Sequence, residues 1–588
     1  MTEAKADLIF FGGRVRTPAH PSGFAPALAI RDGLVIATGD DADVRALAGP
    51  ATRQVDLAGR LALPTFGDSH IHAISGGLES LRCNLLGLKT RQECLDKIAA
   101  YSAGLAPGAW VLGGGWSMEA FPGGTPTAAD LDAVTGGRPA FLPNRDHHGA
   151  WVNSEALRRG GITKDTPDPL DGRIERYEDG QPTGTLHDGA MAYVARHVPA
   201  ATPAELRAGL AAALDYLHSL GIAYYQDACI GSAGELGIYD TFDTYAAAAG
   251  DGTLTASVTG ALWWNRHGDF GQADALLARR ERAALLAQAE ARSGTRGGAR
   301  AEARGGIRGK AEGGPGRFRA TSVKLMVDGV CETFTAAMSQ PYLDRDGHPT
   351  HHHGNFFLDP EELTAIAWLM AGEHGFQLHF HALGDAAVTA ALDAIEALPG
   401  HARAAGRHHL AHLQFIKPSD VARFAALGAV ANFQPLWACA EPQMEELTIP
   451  FVGPERARWQ YQIGGVAQAG GRLAFGSDWP VSSADPIQEI HVAVNRAMSP
   501  VIGRAGTPEV DSPFLPEHAI SLDAAIAAFT SGVAYVNHED DVTGVLTPGM
   551  RADVAVLDQD LYAIPASEIG SASVVMTVSN GQVVFGDA

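Results

Sequence analysis

The feature that most constrains this chain is an alternation through its middle. Ala/Leu-rich helical stretches such as residues 203–219 and 361–374 take turns with short apolar strands such as Leu378-His-Phe-His. Strands and helices in alternation give the βα rhythm of a parallel barrel, with functional groups expected at the carboxyl ends of the strands. The two ends of the chain read differently. Residues 7–62 break into short strands and turns, with Leu8-Ile-Phe-Phe, Ala27-Leu-Ala-Ile and Leu34-Val-Ile-Ala separated by Gly12-Gly13 and Asp32-Gly33. Residues 541–588 repeat that texture with Gly544-Val-Leu, Ala552-Asp-Val-Ala-Val-Leu and Val574-Val-Met-Thr-Val, so the two ends are expected to build one sheet domain together. At 588 residues the chain exceeds one ordinary core. A barrel with insertions over 63–540, beside a smaller module from 1–62 and 541–588, accounts for the length.

Composition narrows the class. With 46% hydrophobic and 19% charged residues the chain is globular. No apolar run approaches the roughly 20 residues that span a bilayer, so no membrane partner is expected. The first residues lack the basic and long apolar segments of a secretory signal, and a cytoplasmic location is expected. A formal charge of −23, from 44 basic and 67 acidic residues, argues against a nucleic-acid partner. Five dispersed cysteines without a Cys-x-x-Cys indicate buried thiols, not a disulfide framework or a zinc-thiolate site. Residues 294–317, where Arg296, Arg300, Arg304 and Arg308 recur among glycines, read as a mobile surface loop because glycine opposes a helical stripe.

Five segments carry chemistry. His70 and His72, in Asp68-Ser-His-Ile-His, put two imidazoles on one face of an extended strand, as a metal requires. Lys324 sits in the apolar Val323-Lys-Leu-Met-Val-Asp, where a bare ammonium is costly to bury. It either pairs with Asp328 or another carboxylate, or is carboxylated by carbon dioxide to an anionic carbamate able to bridge two cations. Leu378-His-Phe-His places His379 and His381 on one strand face, and Arg407-His-His-Leu-Ala-His places His412 at the end of another. Phe475-Gly-Ser-Asp-Trp-Pro presents Asp478 beside a turn. Imidazole nitrogens together with carboxylate oxygens suit Zn²⁺ and its neighbours better than Ca²⁺ or Mg²⁺.

Taken in order, these segments resemble the amidohydrolase superfamily, and within it the branch of N-substituted formamide deformylases and related amidohydrolases. Ala150-Trp-Val-Asn-Ser, Pro182-Thr-Gly-Thr-Leu, His381-Ala-Leu-Gly-Asp and Leu546-Thr-Pro-Gly-Met-Arg-Ala-Asp extend the resemblance over nearly the whole chain. It implies an α/β fold, a (β/α)8 TIM-like barrel with a β-sandwich domain built from both chain ends, and one or two Zn²⁺ ions or other divalent transition metals at the barrel mouth. His70, His72 and Asp478 would bind the more buried metal, a carbamate on Lys324 would bridge, and His381 and His412 would bind the second. His379 would lie behind the ligands, since the family pattern sits on the histidine directly before Ala-Leu-Gly-Asp. The chain departs from the usual pattern at Pro64-Thr-Phe-Gly-Asp, which leaves the ligands unaffected.

The chemistry expected is hydrolysis of a carbon–nitrogen amide bond in a small molecule by metal-activated hydroxide, with an N-substituted formamide as substrate. Asp478 would carry the proton from the attacking oxygen to the departing amine. His148 either donates to the oxyanion or is structural. Trp116, Trp151 and Trp437 fall near motif segments as candidate pocket walls, and His351, His352 and His353 read as a solvated loop or lid. Competing readings are a same-fold hydrolase of another amide, cyclic amide or ester, and a non-catalytic metal-binding scaffold; a serine hydrolase is disfavoured because Gly-x-Ser-x-Gly is missing. A homodimer fits the family, and no sequence feature establishes it.

Overall fold

The computed structural model describes residues 5–231, 239–294, 316–503 and 507–587. Eight parallel strands form one sheet in their order along the chain. They are β1 (Phe66–Ile71), β2 (Ile222–Ile230), β3 (Ser257–Trp263), β4 (Phe318–Met326), β5 (Gln377–Ala382), β6 (His409–His412), β7 (Val430–Phe433) and β8 (Arg472–Phe475). The sheet curls back on itself at the carboxyl end. There Asp478 N donates to His70 O at 2.8 Å and His72 N donates to Trp479 O at 2.9 Å, joining the segment after β8 to the end of β1. Asp68 reinforces this seam. Its Oδ1 accepts from His70 N at 3.0 Å and Ser477 N at 3.1 Å, and its Oδ2 from Ser477 Oγ at 2.5 Å.

Helices cover the outside of the barrel. Pro203–Ser219 is the helix its Ala/Leu-rich sequence predicts, and it starts where Thr202 and Glu205 form a capping box ahead of Pro203. The 361–374 stretch is an α-helix, Pro360–Ala367, that widens into a π-helical segment, Trp368–Glu373. In the chain between helix Ala73–Ser80 and helix Pro203–Ser219, which pack against each other, is inserted a six-stranded mixed sheet in the order Gly172–Arg176, Pro182–Asp188, Gly149–Val152, Ala140–Pro143, Val111–Gly114, Cys83–Asn84. This insertion brings His148 and Asp188 to the barrel mouth.

Two further sheets use the chain ends. One contains Leu34–Gly39, Ala27–Arg31, Leu8–Phe11 and Arg53–Asp56. The other places Gln582–Phe585, Val574–Ser579 and Val554–Leu557 beside Leu61–Pro64, Arg14–Arg16 and Phe24–Ala25, with Val554 paired to Pro64. Phe10 and Leu28 of the first sheet share an apolar cluster with Val15, Val554 and Met576 of the second. The expected strand at residues 544–546 is instead an irregular bend, because Gly544 takes the left-handed φ of 91°. The five cysteines are buried, as expected. The Gly/Arg-rich segment at 294–317 lies, between 295 and 315, outside the described residues. Among the described residues no helix is long and apolar enough to cross a membrane.

Candidate metal centre

The carboxyl ends of the barrel strands converge on one cavity, lined by His70, His72, Lys324, His381, His412, Asp478 and His148. All six residues assigned to metal binding from sequence therefore meet, although they come from β1, β4, β5, β6 and the segment after β8. His70 and His72 hold their Nε2 atoms 3.2 Å from Asp478 Oδ1. One ligand atom from each of His70, His72 and Asp478 lies within 4.8 Å of the others. A second acidic group, Asp344, Asp346 and His348, is exposed on a turn.

The residues fit a metal on the chemistry of their unpaired atoms. Asp478 Oδ1, His72 Nδ1, His381 Nε2 and both ring nitrogens of His412 are buried without a hydrogen-bond partner. Buried polar atoms left in this state cost free energy unless something else in the cavity satisfies them. The protonation states agree. Burial, with Lys324 adding to it, pushes His70 down to about 3, and burial holds His381 and His412 well below the ordinary imidazole value. Neutral imidazoles offer lone pairs. Burial opposes ionisation of Asp478, but the imidazoles of His70, His72 and His412 outweigh it and hold the carboxyl well below its usual range. The backbone here is strained: Asp478 and His412 have φ of 55° and 78°, left-handed values that a non-glycine residue keeps only where surrounding contacts enforce them.

Lys324 is 3% exposed. Its Nζ lies 3.5 Å from His70 Nε2, and burial lowers its ammonium to about 8. The alternative pairing with Asp328 does not occur. Both Asp328 oxygens accept backbone N–H groups, from Ala337, Leu383 and Gly384, and this fastens the loops after β4 and β5 together. Lys324 is in register with His379, one layer below His381, so its long side chain is what brings the amine up to the cavity.

His379 does not line the cavity. It sits behind His70, with its Nε2 2.7 Å from His70 Nδ1. His148 does line it. Its Nδ1 is 2.6 Å from Asp188 Oδ1, and its ring centroid is 5.4 Å from that of His381. Burial disfavours the charged imidazole, but the charge and hydrogen bond of Asp188 outweigh it and raise the His148 pKa.

The three tryptophans separate. Trp437 stacks on His412 with centroids 5.5 Å apart and planes 8° apart, and its indole N–H donates to Ser482. Trp116 and Trp151 are corrected to packing residues. They contact each other and Phe121 in the core of the inserted sheet, where their indole N–H groups donate to Leu142 O and Thr127 O, and neither lines the cavity. His351, His352 and His353 form an exposed loop, with His352 stacked on Tyr342.

Asp188 and Gln226 went unnoticed in the sequence, and Asp68 and His409 stood inside the motif segments without a role. Gln226 and Asp68 had a readable signal, a polar residue within a strand buried along its whole length.

The model of the amidohydrolase family matches residues 53–585. The protein LONG AFTER FAR-RED 3 of Arabidopsis thaliana is 29% identical over 99% of this chain and 92% of its own length. The N-substituted formamide deformylase of Arthrobacter pascens is 26% identical over 99% of this chain and 98% of its own. An uncharacterized metal-dependent hydrolase from Pyrococcus furiosus shares the fold with a TM-score of 0.64 at 24% identity, over 94% of this chain and 99% of that one. A match that runs from the last strand of the first end sheet through every cavity-lining segment of the barrel to the last strand of the chain leads to one conclusion: the chain belongs to the amidohydrolase family and is a hydrolase acting on carbon–nitrogen bonds.

Proposed function

We propose that this protein hydrolyses an N-substituted formamide to formate and an amine, using one or two divalent cations, Zn²⁺ by ligand type. The observation that carries the substrate is the size of the space at the ligands. The cavity there holds about 50 Å³, with Cys229, Trp263 and Met326 on its wall. That volume supports a small acyl group. A neighbouring cavity of about 480 Å³ shares Ser75 and His147 with it and has apolar walls at Leu78, Leu112, Phe141 and Leu206, room for a substituent on nitrogen. The name of the Arthrobacter pascens relative agrees with this reading.

His70, His72 and Asp478 would hold the first cation, and His381 and His412 the second. Lys324 would carry a carbamate that offers the cations anionic oxygen: the free amine attacks carbon dioxide, a C–N bond forms and the nitrogen loses a proton. A buried lysine with no carboxylate within 4.0 Å, among the described residues, supports this reading. A divalent cation supplies hydroxide from water near neutral pH and charge for the carbonyl oxygen. Asp478 then accepts a proton at a carboxylate oxygen and returns it to the departing nitrogen. His148, whose imidazole Asp188 holds by a hydrogen bond and whose pKa it raises, would donate to the oxygen that gains charge. The two end sheets we take as a β-sandwich domain of residues 1–62 and 541–588, and the protein as cytoplasmic.

The test is a panel of N-alkyl and N-benzyl formamides beside the matching acetamides, with the metal-loaded enzyme and release of formate, acetate and amine measured. Formate with little acetate is expected. Neither acid, with metal bound, would move the substrate to another amide, a cyclic amide or an ester.

A further inference from the structure

Below the metal ligands the barrel interior is not apolar. Ser69 of β1, Gln226 of β2, Gln377 and His379 of β5, His409 of β6 and Asn432 of β7 are all within 3% of complete burial and hydrogen-bond to one another. Two ends of this network touch backbone carbonyls, which only accept, and those ends decide every donor between them.

The first end is Gln377. Its Nε2 lies 2.9 Å from Arg407 O and 2.8 Å from Val536 O, so this atom is the amide nitrogen and Oε1 faces Gln226. Gln226 Nε2 donates to that oxygen at 3.1 Å and to Asn537 Oδ1 at 3.2 Å. Gln226 Oε1 therefore points at His379 Nδ1, 2.6 Å away, and His409 Nε2, 2.9 Å away, and accepts from both. The second end is Asn432, whose Nδ2 donates to Ser69 O at 3.0 Å and, with its other hydrogen, to His409 Nδ1 at 3.0 Å. A neutral His409 accepting at Nδ1 carries its proton on Nε2 and donates to Gln226 Oε1. The two assignments start from different carbonyls and agree at that oxygen. With the His379 proton on Nδ1, its Nε2 is an acceptor, and the hydrogen on His70 must lie on Nδ1, 2.7 Å away. His70 Nε2 is left bare, 3.2 Å from Asp478 Oδ1.

The geometry points to Gln226 as a positioning residue for the metal: its amide oxygen, oriented from the barrel floor, sets the tautomer of His379 and through it that of His70, so that His70 reaches the cation with a fixed lone pair. This rests on the reading of His70 as a metal ligand and not on the substrate. Without the network His70 would be free to carry its proton on Nε2, and each metal would first have to displace it.

Two measurements on the full chain test it. The first is ¹⁵N imidazole NMR of the histidine-labelled, metal-free protein, with the His70 signals assigned from His70→Ala. The proton of His70 is expected on Nδ1, and a His70 protonated on Nε2 overturns the proposal even if every variant fails to fold. The second is Zn²⁺ affinity by chelator competition for Gln226→Met and Gln226→Glu. Gln226→Met should bind Zn²⁺ about 10- to 100-fold more weakly and show both His70 tautomers. Gln226→Glu, which keeps an oxygen for both imidazoles, should recover most of the loss. A folded Gln226→Met with native affinity and a single His70 tautomer overturns the proposal. Wild-type protein that binds no Zn²⁺ would overturn the metal reading itself, a different failure.

Discussion

Two His-x-His pairs with the same spacing end in different places. His70 and His72 both reach the cavity, and of His379 and His381 only the second does. Spacing fixes the face of a strand but not the depth. His70 is the last residue but one of β1 and His72 lies beyond it, whereas His379 is the third residue of a six-residue strand and His381 the fifth. Each strand position advances about 3.3 Å along the barrel, so His379 falls a layer below the site and becomes the support of His70. The same pattern of residues thus supplies two cavity-lining imidazoles in one strand and, in the other, one such imidazole and one that supports His70 from behind.

Substitutions can break or sharpen this contrast. The largest effect is expected from Asp478→Asn, which should keep most of the metal and lower kcat by roughly 10²- to 10⁴-fold; metal content and turnover measured on one preparation check it, and an active variant would remove Asp478 from the proton path. Next come the two members of the second pair. His381→Ala should lose a bound metal outright, whereas His379→Ala should keep the stoichiometry and weaken the first metal about 10- to 100-fold. Equal effects on stoichiometry would erase the distinction between ligand and support. Removing the metal by chelation should lower the melting temperature, since a ligand at 100 times its Kd stabilises the fold by about 2.7 kcal/mol.

A smaller change is expected at His148. Its raised pKa keeps it protonated to higher pH, so activity that needs its proton falls as pH rises through that pKa. Asp188→Asn removes the charge that raises it, and the alkaline fall in the kcat/KM profile should move to lower pH. Smallest is Trp151→Phe, which deletes one buried hydrogen bond to Thr127 O, should cost about 1 kcal/mol of stability and should leave KM unchanged. A changed KM would return Trp151 to the substrate pocket.

The contrast between the two pairs also marks what was legible in the sequence. The cavity-lining residues could be read because most stand at or just past the carboxyl end of a strand, where it opens into the barrel mouth, and because their order along the chain is that of a known family. The helix at Pro203–Ser219 was legible from its Ala/Leu-rich composition. Gln226 was legible only as a polar residue in the apolar strand Ile222–Ile230, with no sign of its role. Its meaning lies in Gln377, 151 residues away, and His409, 183 residues away, and no local pattern encodes those contacts. Trp116 and Trp151 were misplaced for the converse reason. They are near motif segments in sequence, but the inserted sheet turns both indoles into its own core. The separation of Asp188 from His148, 40 residues apart across antiparallel strands of that sheet, hid the pair that holds the imidazole in place.

The most direct test of the account is anomalous diffraction at the zinc edge from crystals of the protein grown with Zn²⁺. A peak is expected within the ring of His70, His72 and Asp478, with any second peak at His381 and His412. Zinc found only at the exposed Asp344, Asp346 and His348, with the barrel mouth empty in active enzyme, would contradict it.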